Sequence, residues 1–137
     1  MQSKLKRSLI LHEGYKDHPY FDTVGNITIG IGYNLSDRGL PDEWINRQYQ
    51  DDVEYFYNQL CTFPWFELLS TDRQIVLIDM AFMGWKKFLS FKNMIKALEQ
   101  GDYHLAASEM LKSNWAVQVG NRAITLANVM NDGVYHV

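Results

Sequence analysis

Apolar positions recur at helical steps along most of this chain and give way once to strand-type composition. Leu5, Leu9 and His12 mark one face between Ser3 and Glu13, which predicts a first helix of about three turns that Gly14 brings to a stop. From Tyr20 onward the types turn to Tyr, Phe, Val, Ile and Thr, broken by Gly25-Asn26. That composition predicts a short hairpin with a tight turn and places Asp22 on a strand. Tyr33 to Leu40 reads as loop. Pro41-Asp42-Glu43 then opens a helix with proline and acids in its first turn, and Ile45, Tyr49, Val53, Phe56 and Leu60 continue it as a single amphipathic helix ending near Cys61 to Phe63, before Pro64.

Beyond Pro64 the pattern is helical throughout. Thr71-Asp72-Arg73-Gln74 has a capping-box pattern, and Ile75 to Met83 is apolar nearly all round, as expected of a helix at the centre of a lobe. Lys86 to Gln100 and Asp102 to Ser113 read as two further helices separated by Gly101, with Phe88, Phe91, Ile95, Leu98, Leu105, Ala106 and Met110 facing inward. The Met and aromatic stripe is core material. There is no internal repeat, linker or low-complexity tract.

Composition narrows the possibilities. With 137 residues, 47% of them hydrophobic, the chain amounts to one domain able to bury a core without staples. The single cysteine, Cys61, reads as a buried thiol, and nothing around it suggests a nucleophile. The apolar run Leu9-Ile10-Leu11 is too short for a secretory segment or a membrane span, so synthesis in the cytoplasm without a signal peptide is expected. Net charge is −3, and the excess acid is local: residues 51 to 70 carry four Asp or Glu and no Lys or Arg. Such a run reads as a solvated helix face and gives no sign of affinity for nucleic acid. His12-Glu13 has no second histidine at the spacing of a His-Glu-x-x-His zinc site, so no metal is expected there.

Candidate chemistry gathers between residues 13 and 33. Glu13 at a helix end and Asp22 on the facing hairpin can flank a groove, with Thr28 across the turn from Asp22. Hydrolysis of a glycosidic bond needs such a pair, one carboxyl to protonate the leaving oxygen and another to stabilise charge at the sugar carbon or activate a water. An isolated Glu and Asp at this spacing would read as two solvated surface charges. The frame around them changes that. Glu13-Gly14, Tyr20, Asp22, Gly25, Thr28-Ile29-Gly30 and Gly32 resemble, without a gap, the active-site segment of the phage-type (T4-like) lysozymes, glycoside hydrolase family 24.

The resemblance implies a catalytic acid at Glu13, the opposed aspartate at Asp22, and at Thr28 a threonine that helps hold the attacking water. It further implies sugar contacts at Asn34 and Phe82. Near the end of the chain Trp115, Gln118 and Asn121-Arg122-Ala123 also match the family, which implies that Arg122 lies behind Glu13 and supports it. Two departures stand out: a shortened turn at Ala81 to Trp85, and Tyr33 where some relatives have a histidine. Relatives often carry a further short helix before the long one; the room for it is missing here, so a trimmed lobe is expected.

The expected fold is α+β and two-lobed within a single domain, residues 1–137. A β-lobe covers about 13–40, a connecting helix about 41–61, and a helical lobe 64–137 together with the N-terminal helix 3–13, the groove lying between the lobes. The resemblance implies a muramidase that cuts the β-1,4 bond between N-acetylmuramic acid and N-acetylglucosamine in peptidoglycan, without metal or organic cofactor. It would act in bacterial cell-wall lysis as a monomeric phage or prophage product, released through a holin or carried on a virion, without membrane insertion. Thr28 as a water-holding hydroxyl implies inversion at the sugar carbon. One alternative is a non-catalytic cell-wall-binding or virion structural module on the same frame. Another is a lytic transglycosylase, which needs no base opposite the acid.

Overall fold

The computed structural model describes residues 1–135; the last two positions of the expected helical lobe, 136 and 137, lie outside the described residues. The chain divides into two compact units, Met1–Gln48 and Tyr49–Val137. The first contains helix α1 (Gln2–Glu13), strands β1 (Lys16–Phe21), β2 (Ile27–Gly30) and β3 (Tyr33–Asn34), a one-turn helix α2 (Leu35–Arg38) and the start of α3 (Asp42–Leu60). The second contains the end of α3, a 3-10 turn (Phe66–Leu68), and helices α4 (Thr71–Ala81), α5 (Trp85–Leu89), α6 (Lys92–Glu99), α7 (Tyr103–Leu111), α8 (Asn114–Val119) and α9 (Asn121–Asp132). The architecture is α+β and lysozyme-like, as expected. Among the described residues, no helix is long and apolar enough to cross a membrane.

In the first unit the hairpin is one strand wider than its composition suggests. The sheet order is β1-β2-β3, both pairs antiparallel. Tyr20 stands opposite Thr28 and Phe21 opposite Ile27, while on the other edge Thr28 stands opposite Asn34 and Ile29 opposite Tyr33. Asp22 is the first residue after β1, not a strand residue, because there the chain turns back on itself. The stretch taken as loop from Tyr33 to Leu40 instead supplies β3 and α2. Asn34 caps that short helix, its side chain accepting from the Asp37 N–H at 3.1 Å, which lets a single turn form where periodicity gives no signal.

Helix α1 buries none of its residues, and Leu5 and Leu9 line a shallow depression together with Ile31 of the same unit. It groups with the sheet and not with the helical lobe expected to include it.

The second unit holds the core. Leu60, Phe66, Val76, Leu77, Met80, Phe88, Met94, Leu98, Met110 and Met130 are essentially without solvent contact, and each large apolar side chain so buried contributes about 1.5–3 kcal/mol. Helix α4 lies among them with Val76, Leu77, Met80 and Ala81 inside, but it is not apolar-buried all round: Ile75 and Phe82 are exposed. Its cap is Ser70, one residue earlier than the capping-box pattern suggests; the Ser70 hydroxyl accepts from Arg73 N–H at 3.2 Å. The expected helix from Lys86 to Gln100 is broken at Ser90-Phe91, where the Ser90 hydroxyl turns back to donate to the Lys87 carbonyl. Leu105, expected inside, is exposed, while Met94 takes an interior place instead.

Candidate active site

The residues singled out from the sequence fall into two groups. Glu13, Asp22, Thr28 and Asn34 belong to the first unit, Phe82 and Arg122 to the second.

Glu13 is the last residue of α1. Gly14 then leaves the helix at φ +87°, its N–H closing on the Ile10 carbonyl at 2.8 Å. The acid's side chain is exposed, and its own backbone carbonyl accepts a hydrogen bond from the Tyr20 hydroxyl of β1 at 3.2 Å. One strand of the sheet therefore holds the end of the helix that carries the carboxyl.

Asp22 closes the turn between β1 and β2. Its N–H donates to the Asn26 carbonyl at 2.9 Å, and its Oδ1 accepts from the N–H groups of Asn26 at 2.8 Å and Val24 at 3.0 Å. Two backbone donors on one oxygen fix the carboxylate's orientation. They leave Oδ2 without a hydrogen-bond partner among the described residues, available to an incoming group.

Thr28 is the only polar residue counted as buried among those described, at 5% exposure. Residues directly opposite in an antiparallel ladder share a face, so Tyr20, Thr28 and Asn34 form a row across the three strands. The Thr28 hydroxyl donates to the Asn26 carbonyl at 3.3 Å, and not to Asp22 as the role of a bridging hydroxyl would suggest. With its proton so directed, its lone pairs are free to accept. Asn34 is committed to local structure, donating to Asp37 Oδ2 at 3.1 Å while capping α2.

In the second unit Phe82 stands at the end of α4, its ring centre 5.3 Å from that of Phe56 and 6.5 Å from that of Tyr49. Phe82 and Tyr49, with Val53, Ile75 and Ile78, wall an open pocket of about 400 Å³. Arg122 and Asp79 complete that wall. Arg122 Nε donates to Asp79 Oδ1 at 3.1 Å, Nη2 reaches the same oxygen, and Nη2 also donates to the Asp79 carbonyl at 3.3 Å.

Asp79, Tyr20, Asn26 and Gly32 touch the residues singled out from the sequence and are not themselves singled out by it. A single acid within the apolar run of α4 was the available signal for Asp79, since a carboxylate seldom sits on such a face unpaired. Tyr20 and Gly32 stood inside the matched segment, yet only the folded sheet reveals what they touch. Among the described residues no three His, Cys, Asp or Glu side chains gather where they could hold a metal.

No protein-family model matches the chain. It is similar to "Probable T4-type lysozyme 1" of Dictyostelium discoideum, 27% identical over 164 aligned positions that cover 97% of this chain and 96% of that protein. It is also similar to "Probable T4-type lysozyme 2" of the same organism, 26% identical with the same coverage. The alignments are longer than the chain's 137 residues, so the relatives contain stretches this chain lacks. Likeness to these two proteins over nearly its full length, carried on an α+β fold with a small antiparallel sheet, supports a T4-lysozyme-like family for this chain.

Proposed function

We propose that this chain is a glycoside hydrolase of the lysozyme type, a muramidase that cleaves the β-1,4 bond between N-acetylmuramic acid and N-acetylglucosamine in peptidoglycan and acts, as a monomer, in lysis of the cell wall. The observation that carries the reading is the β1–β2 turn, where the Asp22 N–H and the hydroxyl of buried Thr28 converge on the Asn26 carbonyl and leave Asp22 with one carboxylate oxygen fixed and one free. The similarity to proteins named lysozyme supports the reaction class. Those proteins are eukaryotic, and the proposed activity does not depend on a phage or prophage origin.

In the proposed reaction Glu13, protonated, gives its proton to the glycosidic oxygen as the bond from that oxygen to the sugar carbon breaks. A water attacks the same carbon from the opposite face. It donates one hydrogen to a lone pair of Thr28 Oγ1, whose own proton is engaged by Asn26, and the other to Asp22 Oδ2, which removes it as the new bond forms. The product is inverted. No cofactor enters any step.

The decisive experiment is Glu13→Gln, which keeps size and hydrogen-bonding capacity but cannot deliver the proton. Loss of the acid should lower turnover on peptidoglycan by about 10²–10⁴-fold while unfolding temperature barely moves; normal lysis by the folded variant would defeat the assignment. Early NMR of products from a defined oligomer should show an α-configured reducing end. A β-anomer appearing first would indicate a glycosyl intermediate on Asp22, and a 1,6-anhydro end a transglycosylase.

A further inference from the structure

We propose that Gly32 and Tyr20 are positioning residues for Glu13, clamping the acid from one strand and one turn of the same sheet, and that position 32 must be glycine for the carboxyl to lie where it does. The inference rests on Glu13 being the proton donor.

Two glycines with left-handed backbone stand at the passage from β2 to β3, Gly30 at φ +68° as the last residue of β2 and Gly32 at φ +66° in the turn that follows. Either conformation by itself favours glycine. Their surroundings differ. A Cβ added at Gly30 would meet nothing within 4 Å, whereas one added at Gly32 would lie 2.8 Å from Glu13 Cβ, 3.0 Å from Cγ and 3.0 Å from Oε2. The Glu13 side chain thus lies against bare backbone along its stem and at one carboxylate oxygen. Its freedom to swing is limited by a turn that carries no side chain at the point of contact.

Tyr20 holds the other side. The Glu13 carbonyl belongs to the last turn of α1, whose carbonyls lack intrahelical partners, and the Tyr20 hydroxyl satisfies it. Tyr20 stands opposite Thr28 in the ladder. The strand that ties down the acid's backbone is therefore in register with the residue proposed to hold the water, and the turn that confines the acid's side chain follows the same central strand. Donor and water site are fixed to one rigid element, as a reaction requiring attack on one face and protonation on the other demands.

The test compares Gly32→Ala with Gly30→Ala, since both put a methyl group on a left-handed residue at the passage from β2 to β3 and only the first meets Glu13. On a soluble peptidoglycan oligomer, Gly32→Ala should lower kcat by about a hundredfold with KM little changed, displace the limb of the kcat–pH profile set by the acid, and shift the carbon-13 carboxyl resonance of Glu13. Gly30→Ala should stay close to the parent in all four. Should Gly32→Ala fail to fold, Tyr20→Phe, which removes one hydroxyl and adds no bulk, must lower kcat without raising KM and move the same resonance. Equal kcat, pH profile and resonance in the two alanine variants, with Glu13→Gln inert, would overturn the positioning role and leave the proposed acid standing. An active Glu13→Gln protein would overturn both.

Discussion

At the scale of single residues the site depends on how each polar group divides its hydrogen bonds. Thr28 spends its proton on Asn26 and keeps lone pairs free, so Thr28→Val, nearly identical in shape and suited to a strand, should fold with a stability change of about 1 kcal/mol or less while losing about a hundredfold in kcat. Thr28→Ser retains the hydroxyl and should recover most of that loss; equal kinetics for Val and Ser would mean that the hydroxyl holds nothing. Cys61 makes a different case. Burial, with a hydrogen bond to Glu67 next, pushes its thiol above the ordinary 9.0, and Tyr57 is raised in turn by its hydrogen bond to Cys61. The folded protein therefore keeps a proton that the unfolded chain releases near its ordinary pKa. Stability is undisturbed by this group below that value and falls as pH rises from there through the higher folded value. The urea midpoint should decline above pH ~9, less steeply in Cys61→Ala, and a thiol reagent at pH ~8 should react more slowly with the folded protein than with the unfolded. Glu13 and Asp22 could be picked out of the sequence because their spacing and neighbours matched a known frame. The partners that orient them could not, since neither Tyr20 nor Gly32 has a chemistry that announces contact with an acid.

Elements were easiest to recognise where periodicity or a cap acts within a few residues. Helix α3 spans Asp42–Leu60 against an expected 41–61, because proline and acids begin it and its apolar steps continue to Leu60. Helix α9 illustrates the opposite. Its end is held by Gly133 at φ +84°, with its N–H on the Val129 carbonyl at 2.7 Å, and by Arg73 of α4, which donates from Nε to Met130 O at 2.7 Å and from Nη2 to Asn131 O at 2.8 Å. The guanidinium also lies over the ring of Tyr103, 3.9 Å from its centre. One planar cation thus caps one helix from a second and stacks on a third. Arg73→Lys preserves charge but not the fork or the plane, and should destabilise by about 2 kcal/mol, read as a lower urea midpoint at unchanged slope. An unaffected midpoint would show that this cap contributes nothing. Local pattern places Arg73 only in a capping box, since carbonyls 57 and 58 positions away leave no local trace.

For the molecule as a whole, buried hydrophobic residues run from Leu60 to Met130 and so belong to the second unit, while the first buries Thr28 alone. Amides of α1 and the sheet should accordingly exchange hydrogen through openings of lower free energy than those of α4, α7 and α9. Uniform protection across both units in native-state exchange would refute this. The sequence by itself determined the α+β class, the order of the main helices, the presence of a hairpin and the neighbourhood of Glu13, Asp22 and Thr28, because each follows from short-range steps, caps and turn residues. Only the tertiary structure decided that β3 completes the sheet, that Asp22 gives one oxygen to its own turn, that Thr28 bonds Asn26, and that Arg122 pairs with Asp79 across 43 positions. The physical reason is the same in every case. Periodicity records which side of an element faces a core, whereas the partner of a polar group is chosen by whichever backbone or side chain packing brings within about 3 Å.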